Sequence, residues 1–264
     1  MQVKAILFDL DGVIYQGDAP ITGAAETLEW VRRCNIPHIY LTNTTSRPRS
    51  AIADRLDRMG IRIEPDQILT PPLAARRWLL EQGVRAAALF VPQSTKAEFA
   101  GLDLLPEGRE DGAGAVVLGD LGKAWDFHTL NHAFRLLMAQ PSPYLIALGM
   151  TRYWRAADGL RLDTAPFVAA LQHATGIEPV VLGKPAKPFY QTALTMLGGR
   201  PDDGLMIGDD IRGDIEGAQA IGLKTLLVRT GKFRPQDLEG RVKPDAVIDS
   251  IAELPEWWQD NLPR

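Results

Sequence analysis

Four short apolar runs in this chain each stop on a polar residue, and that repetition restricts the fold more than any other feature. Ala5-Ile6-Leu7-Phe8 stops at Asp9-Leu10-Asp11-Gly12, and Ile39-Tyr40-Leu41 stops at Thr42-Asn43. Pro179-Val180-Val181-Leu182-Gly183 stops at Lys184-Pro185, and Leu205-Met206-Ile207-Gly208 at Asp209-Asp210. Runs that are apolar at successive positions are strands buried on both faces, the mark of a parallel sheet. A carboxylate cannot lie inside such a strand, so the polar residues mark where the strands emerge. In an open α/β sheet those carboxyl ends are where ligands bind.

Between the runs, helical patterns alternate with strands, which predicts an α/β fold with a doubly wound parallel sheet covered on both faces. Thr22 is set to cap a helix carrying Ala24, Leu28 and Val31 on one face. Ser46 is set to cap a helix over residues 47–59, with Ile52, Leu56 and Met59 inward and Gly60 ending it. Thr70 with Pro71 opens another helix, which Gly83 ends, and residues 186–197 form one that stops at Gly198-Gly199. The middle third has strands of its own at 86–91, 113–118 and 144–148, and helices at 126–138 and 165–175. That exceeds any ordinary loop, so residues 83–176 are expected to form an inserted α/β domain. Residues 1–82 and 177–264 would then be one discontinuous core, closing again with the strands before Lys184 and Asp209.

The four strand ends would bring Asp9, Asp11, Thr42, Lys184 and Asp209 to one rim, an inventory suited to phosphoryl transfer. Carboxylates hold magnesium, which binds through few carboxylates plus phosphate oxygens. A lysine and a hydroxyl hold the phosphate, and one carboxylate remains to attack phosphorus. Asp9 and Asp11 are so close in sequence that both cannot stay ionised without a cation or a proton between them.

The same segments resemble the haloacid dehalogenase (HAD) superfamily of phosphatases. The resemblance rests on Asp9-Leu10-Asp11-Gly12-Val13, Leu41-Thr42-Asn43, Gly183-Lys184-Pro185 and Gly208-Asp209-Asp210-Ile211-Arg212-Gly213-Asp214, in that order along nearly the whole chain. Thr42 to Ser46, Gly149 to Trp154, Asp158-Gly159-Leu160 and Arg229 to Pro235 narrow it to subfamily IIA, with a type C2 cap between the second and third motifs. The likeness is strongest to the branch acting on phosphoamides and pyrophosphate. Other branches with this cap carry a Thr-Asn-x-Asp stretch where this chain has Gly149 to Trp154, which argues against their nucleotide, pyridoxal phosphate and phosphoglycolate substrates.

The resemblance implies a Rossmann-like core, a shielding cap, Mg2+ as cofactor and hydrolysis through an aspartyl-phosphate. Asp9 would be the nucleophile. The metal ligands would be the Asp9 carboxylate, the Asp11 backbone carbonyl and the Asp209 carboxylate. The Asp11 side chain would serve as general acid and then base, as its position off the metal permits. Thr42 and the Asn43 N–H would hold phosphate oxygens at the mouth of the following helix, and Lys184 would supply fixed positive charge. Asp214 would hold a metal water or anchor Lys184, and Asp210 could do either. Arg152, Tyr153 and Trp154 are candidate cap contacts to substrate, against a plain structural part. Relatives with this cap often dimerise through it, so a homodimer is open to this chain.

Three other readings use the same residues. A phosphotransferase or phosphomutase of this fold would pass the phosphoryl group on. A phosphoacceptor receiver combines the same groups but needs only about half this length and no insert. An idle interaction protein would be expected to lack Asp9 or Asp11, and both are present.

Composition narrows the partners. Hydrophobic residues at 45% and charged residues at 23% are those of an ordinary globular chain. A net charge of −4 gives no pull toward nucleic acid or anionic membrane, and no apolar run nears the roughly 20 residues of a bilayer span. The one cysteine, Cys34, rules out an internal disulfide, fits a reducing cytoplasm and reads as a core residue at a helix end. His128 and His132 stand four apart on a helix without an HExxH pattern and read as packing or surface groups. Trp257-Trp258 read as a terminal helix packed on the core.

Overall fold

The apolar run before Asp9 forms the strand Ala5–Asp9, buried at every position. In the computed structural model, which describes residues 3–106, 108–156 and 158–261, it lies inside a six-stranded sheet. The strand order is Ala246–Ile248, Lys224–Val228, Gly204–Gly208, Ala5–Asp9, His38–Leu41 and Ile68–Leu69, with every neighbouring pair parallel. The chain starts in the middle, winds outward on one side and returns to wind outward on the other. The winding therefore reverses between Ala5–Asp9 and Gly204–Gly208, the place where doubly wound sheets hold their ligands.

The chain divides into two compact units: Met1–Thr42 with Arg49–Leu69 and Lys184–Arg264, and Asn43–Pro48 with Thr70–Gly183. In the first, one sheet face packs Ile6, Phe8, Tyr40, Ile207 and Val228 against Leu28, Leu56 and Leu254 of the helices Ala24–Arg33, Arg49–Arg58 and Leu254–Asn261. Fully burying one such side chain contributes roughly 1.5–3 kcal/mol. Trp258 meets Trp30 edge-on, the terminal-helix packing the sequence suggests. The opposite face carries the helix Lys187–Leu197, whose Leu194 lies with Leu7 beside Gly204. Doubly wound α/β architecture is what the sequence predicts.

Three local expectations need correction. The helix Ala24–Arg33 has Gly23, not Thr22, at its N-cap and no side-chain cap. The helix after Thr42 is Arg49–Arg58 and does not start at residue 47 under a Ser46 cap. Pro48 explains this, because a proline disfavours helical geometry in the residue before it. Cys34, expected in the core, closes the helix Ala24–Arg33 and is exposed.

The second unit is built on a parallel sheet of five strands, in the order Val180–Val181, Tyr144–Ala147, Ala115–Leu118, Ala86–Phe90 and Asp103–Leu104. The helices Phe127–Met138 and Thr164–Thr175 cover one face through Ala133, Leu136, Leu137, Val168 and Leu171. Asp126 and Asp163 cap them through backbone N–H groups at 2.7 Å. The helix Pro71–Glu81, capped by Thr70, belongs to this unit, as does the 3-10 stretch Gln93–Phe99 on which it packs. Val180–Val181 therefore does not close the core sheet: it pairs with Tyr144–Ala147. Among the described residues no helix is long and apolar enough to cross a membrane.

Candidate active site

Three adjacent strands fix the centre of the site. Asp9 ends Ala5–Asp9, Thr42 directly follows His38–Leu41, and Asp209 directly follows Gly204–Gly208. Register pairs Asp9 with Leu41 and Phe8 with Ile207, so the three polar residues leave the sheet at one level. All three are buried. Lys184 arrives by another route, from the stretch between Val180–Val181 and the helix Lys187–Leu197. Gly183 before it has no room for a side chain, since a Cβ would lie 2.7 Å from the Leu148 carbonyl.

Asp9 is held on one side only. Its Oδ1 accepts the Leu10 N–H at 2.8 Å and the Lys184 ammonium at 2.6 Å. Among the described residues no donor reaches Oδ2. Lys184 also donates to Asp214 Oδ1 at 2.7 Å, and all three side chains are nearly sealed from solvent. Asp214 Oδ2 accepts the N–H groups of Asp209 and Asp210. Both of its oxygens are thus committed, and Asp214 anchors the lysine.

Asp214 reaches this place because residues 211–216 wind as a π-helical turn, with the Ile215 N–H bonded to the Asp210 carbonyl at 3.2 Å. Such wide turns gather at functional sites. Asp210 caps the turn, its Oδ1 accepting from Arg212 and Gly213 at 3.0 and 2.9 Å. Tyr190 fastens it from below by donating its hydroxyl to the Gly213 carbonyl at 2.6 Å. Gly208 is required by packing, since a Cβ there would meet the Asp214 side chain at 2.2 Å.

Asp209 Oδ2 accepts the Lys232 N–H at 2.7 Å, whereas Oδ1 is buried without a hydrogen-bond partner. A buried carboxylate oxygen left so is costly unless a cation takes it. Ligand oxygens of Asp9, Asp209 and Asp214 all lie within 4.8 Å of one another. This cluster can hold a hard divalent cation, which prefers oxygen ligands.

The electrostatics follow from burial. Desolvation raises the Asp9 carboxyl; Lys184 opposes that rise and Asp209 adds to it. Burial pushes Asp209 up to about 6, against the Lys232 N–H bond and with help from Asp214. Asp214 is also pushed to about 6, by burial and then by Asp9. Burial alone would lower Lys184, but Asp214 and Asp9 overcome it and hold its ammonium above the ordinary lysine value. The fold thus crowds three acids around one lysine.

The crowding differs from the one inferred from the DxD spacing. Asp11 is exposed while Asp9 is buried, and the acids that press on Asp9 come from residues 209 and 214. Asn43 is not at a helix mouth: five residues separate it from Arg49, and it falls in the second unit's segment Asn43–Pro48. Arg152, Tyr153 and Trp154 also belong to that unit. Tyr153 and Trp154 start an exposed antiparallel hairpin, Tyr153–Ala156 with Gly159–Leu162, in which Arg161 lies over the Trp154 ring. His132 Nε2 pairs with the Arg109 carbonyl at 2.6 Å and its ring meets Phe90 edge-on, a packing arrangement.

The loop after Lys224–Val228 supplies contacts for which the sequence analysis named no role. Thr230 donates its hydroxyl to the Gly12 carbonyl, and Lys232 holds Asp209. Gly12 and Gly231 both have positive φ, and a Cβ on either would meet Asp209 Oδ2 at 2.0 Å. A fifth apolar run ending in Arg229-Thr230-Gly231-Lys232 is the only sequence signal for this contribution.

Comparison with known proteins agrees with this geometry. Residues 6–104 match the family model of haloacid dehalogenase-like hydrolases, and residues 181–254 match a HAD-hydrolase-like model. The human phospholysine phosphohistidine inorganic pyrophosphate phosphatase is 36% identical over 256 residues, 95% of this chain and 92% of its own. The mouse haloacid dehalogenase-like hydrolase domain-containing protein 2 is 38% identical over 242 residues, 92% and 90% of the two chains. Among solved structures, a p-nitrophenyl phosphatase from Archaeoglobus fulgidus superposes with a TM-score of 0.87 at 28% identity, covering 97% of this chain and all of that one. With a relative of this identity matched along almost its full length, the chain belongs to the haloacid dehalogenase-like hydrolase family and is an enzyme of that family.

Proposed function

We propose that this enzyme is a Mg2+-dependent phosphatase that hydrolyses a small phosphorylated compound through an aspartyl-phosphate on Asp9. One observation carries the reading: a buried carboxylate has one oxygen pinned by Leu10 and Lys184 and the other without a donor among the described residues. An acid kept only as a counter-ion gains by bonding through both oxygens. An acid that must attack phosphorus needs one oxygen held and one open.

The Asp9 carboxylate, Asp209 Oδ1 and the Asp11 backbone carbonyl would hold the metal. Bound there, magnesium would supply the charge neutralisation that lets an anionic nucleophile approach an anionic phosphoryl group. Asp9 Oδ2 attacks phosphorus, and the bond to the leaving oxygen or nitrogen breaks as that atom takes the Asp11 proton. Water then attacks the phosphoaspartate, giving its proton to Asp11, and phosphate leaves. Lys184 keeps its charge throughout, because Asp9 and Asp214 hold its ammonium above the ordinary lysine value. Thr42 binds phosphate oxygens. Asp214 positions Lys184, and Asp210 shapes the turn that carries Asp214.

The human relative is named for phospholysine, phosphohistidine and pyrophosphate, and the Archaeoglobus enzyme for p-nitrophenyl phosphate. Phosphoamides and pyrophosphate are therefore the first candidates. A cytoplasmic location completes the proposal, since a single exposed cysteine suits a reducing compartment.

The test is phosphate release from p-nitrophenyl phosphate, pyrophosphate, phospholysine, phosphohistidine, sugar phosphates and nucleotides, with and without Mg2+. Asp9→Asn should lose turnover on every substrate while keeping the far-ultraviolet circular dichroism of the wild type. Full turnover by that folded variant would end the covalent mechanism. Transfer of the phosphoryl group to a second position of the substrate, without free phosphate, would make the enzyme a mutase instead.

A further inference from the structure

Two loops of the first unit enclose a recess of about 480 Å3 lined by Asp210, Ile211, Arg212, Lys232, Arg234 and Asp237. We infer that this recess is a second anion site, distinct from the Asp9 carboxylate, which takes a phosphate group between the Arg212 and Arg234 guanidiniums and the Lys232 ammonium.

The state of these cations supports the assignment. Several other arginines of the chain are paired: Arg229 with Asp249 at 2.5 Å, Arg161 with Asp158 at 2.6 Å and Arg135 with Glu110 at 2.5 Å. Arg212 and Arg234 make no side-chain ion pair with any described residue, although acids line the same recess. Those acids are turned to other partners. Asp210 Oδ1 is taken by the N–H groups of Arg212 and Gly213, and Asp237 Oδ2 by the Arg234 N–H at 2.8 Å. Only Lys232 reaches an acid with its side chain, Asp210 Oδ2 at a long 3.4 Å.

Guanidinium matches phosphate through two parallel N–H bonds, and charge-assisted bonds of this kind are the strong ones. Two such groups from separate segments, with an ammonium lining the same recess, form a binding arrangement that a scattering of surface charges does not. The volume accepts a phosphate group carried on a larger molecule as well as the free anion.

Lys232 also joins the recess to the catalytic cluster. Its backbone N–H holds Asp209 Oδ2 while its ammonium lines the recess. An anion that fixes Lys232 steadies the residue that orients Asp209, so anion and cation binding should favour each other, and linkage makes the effect reciprocal.

The experiment is titration calorimetry of the metal-free full chain with orthophosphate and, in a second arm, adenosine monophosphate. The comparison is with Arg212→Ala/Arg234→Ala, two exposed positions outside the catalytic cluster. The double variant should lose one binding event, or weaken it by about tenfold or more. Its turnover of p-nitrophenyl phosphate under saturating Mg2+ should stay within about twofold of the wild type. Arg212→Lys/Arg234→Lys should bind at an intermediate level, since charge remains and the paired bonds do not. Tighter binding of the free anion identifies the ligand as phosphate itself; tighter binding of the monophosphate identifies a phosphate on a larger molecule. Identical isotherms for wild type and the alanine variant would overturn the proposal. A parallel collapse of turnover would also overturn it, by assigning the recess to the catalytic site.

Discussion

Lys232 donates its backbone N–H to Asp209 Oδ2 at 2.7 Å, and the other oxygen of Asp209 is buried without a partner. One carboxylate thus has an oxygen fixed by the protein and an oxygen left for a cation. Its pH behaviour follows. Burial, opposed by the Lys232 bond and helped by Asp214, raises Asp209 to about 6 from an ordinary 3.8. A raised acid prefers its proton in the folded state, so its contribution to stability is complete below about pH 4 and is lost as pH rises through about 6. The metal-free protein should therefore lose roughly 2 kcal/mol from this group between pH 4 and pH 7.5. Mg2+ at about a hundred times its dissociation constant should restore a similar amount at pH 7.5. Asp209→Asn should flatten that pH dependence and abolish the Mg2+ effect. Thermal melts of both proteins at the two pH values check this; an unchanged Mg2+ shift in the variant would remove Asp209 from the metal site.

Lys184 is the only cation hydrogen-bonded to the Asp9 and Asp214 side chains among the described residues. Removing it leaves buried carboxylates without compensation, a change that costs about 3–5 kcal/mol when a buried pair is broken. Lys184→Met should destabilise the fold by about that much at pH 7.5 and by less at pH 5, where Asp214 and Asp209, both near 6, take up protons. Denaturant unfolding at the two pH values measures the difference. An equal loss at both would mean that packing, not charge, holds the cluster.

Much of the site was legible because a buried strand announces its end. Asp9, Thr42 and Asp209 each stop an apolar run, and each leaves the central sheet at the same rim. Lys184 was legible as a residue and misplaced as a strand end. An apolar run such as Val180–Val181 signals a strand but not which sheet it joins, and it lies half-buried at the edge of the other one. The DxD spacing suggested two acids competing at close range, whereas the competition arises among residues 9, 209 and 214, which only folding brings together. Lys232 was hidden for a different reason. It acts on Asp209 through a backbone N–H, which every residue but proline owns, so its identity carried no signal.

The glycines beside Asp209 give a sharper test of that hidden loop. Gly231 has φ +63, and a Cβ there would lie 2.0 Å from Asp209 Oδ2 and 2.6 Å from the Gly12 Cα. Gly60 has φ +79 with nothing within 4 Å of the same atom. Both alanine variants bear the strain of a left-handed backbone, about 1 kcal/mol. Only Gly231→Ala must also displace Asp209. It should lose phosphatase turnover by about a hundredfold or more, while Gly60→Ala keeps turnover within about twofold. Equal turnover in the two variants would show that the position of Asp209 does not matter to the reaction.

Asp11 separates acid catalysis from the rest of the mechanism. Its side chain is exposed, unlike Asp9, so a leaving group and then the attacking water can reach it in turn. A proton donor matters in proportion to how badly the leaving group needs one. p-Nitrophenolate leaves well without a proton, whereas an alkoxide does not. Asp11→Asn should therefore lower turnover of a sugar phosphate by about 10²–10⁴-fold. With p-nitrophenyl phosphate the formation of the phosphoaspartate should be affected far less, and the remaining loss should appear in its hydrolysis, where Asp11 takes the proton of water. A burst of p-nitrophenol, equal to the enzyme present and followed by slow turnover, is the expected trace. Loss of the burst together with turnover, on both substrates alike, would show that Asp11 acts on the site's structure and not as a proton carrier.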